Sequence, residues 1–156
     1  MKIKLVLIGF GAMLMLSTLS VHAENSPKAD SCALLNPDDL SSLLGGTATG
    51  KPKGDICNWT ASGSTASLTT IKYPRTGMDA EMSFASARKN AASGGPITDE
   101  TGLGDKAFAR LGATGVVLVI IKQGRLFQMQ YKTGAAGTAK DLDALRPVAK
   151  KAVEVY

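Results

Sequence analysis

Nucleophilic catalysis needs an activated group beside a base, and the chain offers one histidine, His22, to act as one. Serines are plentiful at Ser62, Ser64, Ser67, Ser83, Ser86 and Ser93, but no Gly-x-Ser-x-Gly elbow presents any of them. A Ser/Lys dyad or a carboxylate pair is the catalytic arrangement left open, and nothing in the number or spacing of these residues singles one out. The run Gly45-Gly46-Thr47-Ala48-Thr49-Gly50-Lys51 matches the first seven positions of a phosphate-binding loop. Pro52 then stands where the magnesium-binding hydroxyl belongs, and no strand precedes the run, so residues 45–55 are expected to form a surface loop. Metal ligands are scarce. Met78 and Met82 stand at core spacing on a predicted helix, and Asp99, Glu100 and Asp105 lack the alternating ligands and distal glutamate of a calcium loop. No cofactor and no metal are expected.

Residues 1–23 read as a cleaved export signal, with a basic start at Lys2 and Lys4, an apolar run over 5–19, and the small-x-small site Val21-His22-Ala23. The apolar run is shorter than the roughly 20 residues of a spanning helix. Cleavage removes His22 and sends Cys32 and Cys57 to an oxidising compartment, the periplasm or the exterior, where the pair reads as one disulfide. The other reading of this pair is two buried thiols; the spacing excludes a Cys-x-x-Cys redox motif. No cysteine sits at the cleavage point, and Cys32 lies well downstream of Ala23, so lipid anchoring through Cys32 is not expected. The whole chain carries a net charge of +5 from 18 basic and 13 acidic residues; without Lys2 and Lys4 the balance is 16 against 13, or +3. These charges are scattered, with no basic run, so nucleic acid is not an expected partner.

The 133 residues that follow the signal suit one domain, with 24–31 as a flexible lead and 32–156 folded. Asn36 suits an N-cap and Pro37 the first helical position. Leu35 and Leu40 suit a hydrophobic staple, and Gly45 a stop, predicting a helix over 37–44. Cys57, Trp59 and Ala61 alternate along a predicted strand 56–61, followed by a strand over 67–73. Met78, Met82, Ala85 and Lys89, backed by Phe84, Ala87 and Ala91, predict a helix over 77–92. Three further strands are expected at 106–111, 116–122 and 125–132. The unbroken aliphatic run at 116–121 suits a strand covered on both faces, and Gln123-Gly124 a tight turn. Phe127, Met129 and Tyr131 alternate with Gln128, Gln130 and Lys132, so the last strand is expected to keep one wet face. Thr138 and Asp141 form a capping-box pattern opening a last helix, which Pro147 is expected to kink or split. The order predicts an α+β domain: an antiparallel sheet of about five strands with three helices packed on it.

Cys32-Ala33-Leu34-Leu35-Asn36-Pro37, Leu43-Leu44-Gly45, Cys57-Asn58-Trp59 and Gly102-Leu103-Gly104-Asp105-Lys106-Ala107 together give the chain its likeness to known proteins. In these marks it resembles a family of small bacterial envelope proteins and lipoproteins, best known from actinobacteria. The resemblance implies a paired Cys32 and Cys57 and a small antiparallel α+β domain, of the PsbP-like sandwich kind; it brings no activity. The chain departs from the pattern in having no lipid-attachment cysteine after its signal. The expected function is therefore an exported, non-catalytic binding protein of the cell envelope, including the inhibitor or immunity type, whose partner is a protein or an envelope component. A histidine-free hydrolase or transferase acting on an envelope substrate is the alternative. Lys51, Lys53, Lys72 and Arg75, near the ends of the first strand pair, and Gln128 and Gln130 on the wet face are the expected binding surface.

Overall fold

The computed structural model describes residues 31–156, with the side chains of 74–76 left out; the expected export signal, its expected cleavage site and most of the expected lead lie outside the described residues. Helix α1 (Pro37–Leu44) starts at Asn36, whose side chain accepts no hydrogen bond from the first turn, and stops at Gly45 in the left-handed conformation. Leu35 and Leu40 are both buried in one cluster, as a staple requires. Ser31, expected in the flexible lead, is buried instead, its hydroxyl donating to the Ile56 carbonyl at 2.7 Å.

One seven-stranded antiparallel sheet follows, in the order β1-β2-β3-β7-β6-β5-β4. Its strands are β1 (Ala48–Lys53), β2 (Ile56–Ala61), β3 (Ser67–Thr76), β4 (Ile97–Glu100), β5 (Lys106–Gly112), β6 (Gly115–Lys122) and β7 (Arg125–Lys132). The five expected strands are the inner five; β1 and β4 are the two edges. Residues 48–53, expected as loop, ladder onto β2 from Ala48 opposite Ala61 to Lys53 opposite Ile56. They are extended and laddered along one side, so their N–H groups do not converge as in a phosphate cradle. Gly50 is required here because a Cβ would press on the Trp59 ring and the Cys32 sulfur. Strands β6 and β7 meet at Gln123-Gly124 with both φ values positive, 49° and 69°.

Helices α1 and α3 (Ala139–Val155) cover one face of the sheet over Cys57, Trp59, Leu68, Leu118, Ile120, Phe127 and Met129. Helix α2 (Met78–Ala91) covers part of the other face over Phe108, Val119, Ile121 and Leu126. Strand β6 supplies residues to both clusters, so its aliphatic run is buried on both sides. Two details of the helices differ from expectation: which stripe of α2 is buried, and the absence of a split in α3. The stripe that α2 buries is Ala80 and Phe84, with Ala87 and Ala91 against it, while Met78 and Met82 are 78% and 59% exposed. Small alanines let the helix approach the sheet closely, and the Met78 stripe carries Lys89. Pro147 does not split α3, which runs as one helix from its capping box, where Thr138 Oγ1 accepts from Asp141 N and Asp141 Oδ2 from Thr138 N.

Candidate functional site

The period-two alternation of the strands decides which expected residues share a face. Lys51 pairs with Asn58, Asn58 with Thr69, and Thr69 with Gln130; in the next row Lys53, Ile56, Ile71 and Gln128 stand side by side. Cys57, Trp59, Thr70 and Met129 occupy the intervening positions and face α1 and α3. Lys51, Lys53, Gln128 and Gln130 are therefore together on the α2 side of the sheet. The lysines are exposed and the glutamines half-buried.

Lys72 does not join them. It stands opposite Phe127, an α3-side residue, so the same alternation turns it away, while its backbone N–H donates to the Asp55 carbonyl at 2.8 Å. The side chain of Arg75 lies outside the described residues. The wet strand face is also differently placed than expected. Strand β7 is central, between β3 and β6, and its glutamines line a groove at the flank of α2.

Local bonds order this face. Thr69 Oγ1 donates to Asn58 Oδ1 at 3.0 Å, and the Tyr73 hydroxyl donates to Gln128 Oε1 at 3.2 Å. The face is free of acid on its strands. Strands β1, β2, β3 and β7 hold Lys51, Lys53, Lys72, Arg75, Arg125 and Lys132 and no Asp or Glu. The strand acids are confined to β4, where arginines engage both. Asp99 pairs with Arg88, whose hydrogen bond holds that carboxyl below its ordinary range. Glu100 accepts from Arg146 at 2.7 and 3.0 Å. Asp105, third of the expected acidic group, accepts the Gln123 N–H. The three acids are thus dispersed among separate partners, and no cluster able to hold a metal occurs among the described residues.

Both sheet edges are blunted against strand addition. Strand β1 carries Lys51, Pro52 and Lys53, and β4 is four residues long with two acids. Cys32 and Cys57 form a disulfide with Cα atoms 5.0 Å apart, on the covered side of β2. No described helix is long and apolar enough to cross a membrane.

Arg110 is the residue at this surface that the expected set lacks. It continues the row of Lys51, Asn58, Thr69 and Gln130 through Val117, and borders the groove with Gln128 and Gln130. Its signal in the sequence is a lone arginine at an inward position of a strand, between Phe108 and Gly112. The chain matches no family model, no curated protein and no solved structure.

Proposed function

We propose that this chain is an exported, non-catalytic binding protein of the bacterial cell envelope, free in the periplasm or secreted, whose uncovered sheet face engages a partner. The observation that carries this is the row Lys51, Asn58, Thr69, Gln130, which crosses four strands with amides, hydroxyls and cations and no carboxylate. An antiparallel sheet commonly leaves one face in water, so it is the make-up of this row, polar and basic without acid, that favours a binding role. The blunted edges favour recognition by side chains over strand addition. The cystine supports export, since disulfides persist in oxidising compartments. The layering of α1 and α3, the sheet, and α2 supports the PsbP-like sandwich that the resemblance implies.

The test is affinity capture of the mature chain from its native envelope, followed by mass spectrometry, with a Lys51→Glu, Asn58→Glu double variant beside it. A partner enriched by the unmodified chain and lost by the double variant is the expected result. If nothing is enriched over a scrambled-surface control, or if the double variant captures equally well, the face is not a binding surface.

A further inference from the structure

Among the described residues, Arg110 is the arginine whose side chain finds no partner. Arg88 pairs with Asp99 and lies over the Phe108 ring, Arg146 is shared by Glu100 and Asp143, and Arg125 reaches the Tyr156 carbonyl oxygen at 3.5 Å. Arg110 Nε is buried without a hydrogen bond. The nearest strand acid, Asp99, stands across from Phe108 and is taken by Arg88. An unsatisfied buried donor on a charged group costs free energy that a folded protein ordinarily avoids, and here the geometry holds it in place. The guanidinium lies against Gly94, where a Cβ would collide with Nη1, and beside Gly112. It borders a groove of about 240 Å³ with apolar walls at Phe108, Val117 and Val119 and with the amides of Asn90, Gln128 and Gln130.

We propose that Arg110 receives a carboxylate of an acidic partner protein, entering the groove between α2 and the sheet. This rests on the face being a binding surface and names the chemistry it recognises. A guanidinium fork meets a planar carboxylate with two parallel hydrogen bonds, which strengthen where apolar walls exclude water. The amides of Asn90, Gln128 and Gln130 both donate and accept, matching the peptide groups that flank an acidic side chain. One fork suits the single charge of a carboxylate better than a phosphate dianion. Lys51 lies five strand spacings from Arg110 along the same row, about 24 Å. The acid-free strands between them extend the same complementarity, so the partner presents an acidic surface of that length.

The test uses the mature chain with its cystine intact and a short peptide of alternating glutamate and serine, with the glutamine version of that peptide as neutral control. In an NMR titration the acidic peptide is expected to shift the Arg110 Nε–H and the Gln130 side-chain amide saturably, and the neutral peptide to leave both in place. Arg110→Gln should weaken acidic-peptide binding at least about tenfold, and Arg110→Lys, which keeps the charge and loses the fork, by a similar factor. Thermal midpoints check that both variants fold; the unmodified chain's titration decides the matter even if they do not. Undiminished binding by Arg110→Lys would assign the attraction to diffuse charge and overturn the site. Polygalacturonate or inorganic phosphate moving the Arg110 signal where the acidic peptide does not would overturn the protein partner. If a partner lost by the Lys51→Glu, Asn58→Glu variant is still captured by Arg110→Gln, the Arg110 site fails and the binding face stands. If the double variant captures normally, the face fails whatever the peptide does.

Discussion

Two buried hydroxyls on neighbouring strands have opposite consequences for stability. Tyr131 donates to the Leu43 carbonyl at 2.9 Å, tying the sheet to the last turn of α1, and Tyr131→Phe leaves that carbonyl without its partner. The expected loss is about 1–2 kcal/mol, read by urea denaturation. Burial, and secondarily the charge of Asp141, raise the Tyr131 hydroxyl pKa above its ordinary 10.0. The folded state then keeps the proton at a pH where the unfolded chain has lost it. Stability is full below about pH 10 and falls as pH climbs toward the raised folded value. Tyr156, also raised by burial, acts with the same sign, so Tyr131→Phe should make the alkaline decline shallower without abolishing it. Thr70 is the reverse case: 1% exposed, with its Oγ1 unpartnered. Thr70→Val removes an unsatisfied hydroxyl at nearly constant shape and should stabilise by about 1 kcal/mol; a loss of that size in urea titration would show a partner for the hydroxyl. The Glu100 and Arg146 pair adds an asymmetry, since the Glu100 side chain is 4% exposed and that of Arg146 40%. Arg146→Ala strands a buried carboxylate and should cost about 3 kcal/mol. Glu100→Gln keeps the shape and leaves Arg146 with Asp143 and water, at about 1 kcal/mol. Equal costs in the two variants would count against the burial of Glu100.

At the scale of elements, what could be read in the residues follows burial. The inner five strands announce themselves through alternation or unbroken aliphatic runs, because packing on both sides selects those residues. The edges do not. Alanine, threonine, glycine, lysine and proline in β1, and threonine, aspartate and glutamate in β4, read as loop because an edge strand is chosen partly to repel further strands. The candidate surface was legible in the same uneven way: Gln128 and Gln130 stand out by alternation within one strand. Their company with Lys51 depends on β7 inserting beside β3, a pairing between segments separated by α2 and three strands that no local pattern encodes. Helix α2 holds two competing stripes at helical spacing, and the methionine stripe, which carries Lys89, lost to the one that combines Phe84 with alanines. Pro147 makes α3 a further test. As an exposed residue inside a continuous helix, it removes one backbone hydrogen bond, to the Asp143 carbonyl, from the ladder. Pro147→Ala should therefore stabilise the protein by about 1 kcal/mol or more, measured as a rise in thermal midpoint; a fall would mean that the proline itself is required for Val148 and Ala149 to pack as they do.

For the molecule as a whole, the part of the described residues that leans directly on the cystine is the corner formed by α1 and β1. Helix α1 has eight residues, too few to persist alone, and it holds its place through Leu40, Leu43 and Leu44, the Lys151 to Asp39 ion pair and the Cys32–Cys57 cystine. The cystine closes a 26-residue loop containing α1 and β1, and loop entropy assigns it about 3–4 kcal/mol. Much of that constraint bears on one side of the sheet, since β5, β6 and β7 lie beyond β3 and are linked by short turns. Reduction should therefore do two separable things. The urea midpoint should fall by an amount matching about 3–4 kcal/mol, and amides of α1 and β1 should lose hydrogen-exchange protection before those of β6. Lys51 rides on the loosened strand while Arg110 does not, so acidic-peptide shifts at Arg110 should survive reduction in water, and those at Lys51 should weaken. Uniform loss of protection across all seven strands would instead make the cystine a clamp on the entire domain, and would join the two ends of the acid-free face into one cooperative unit.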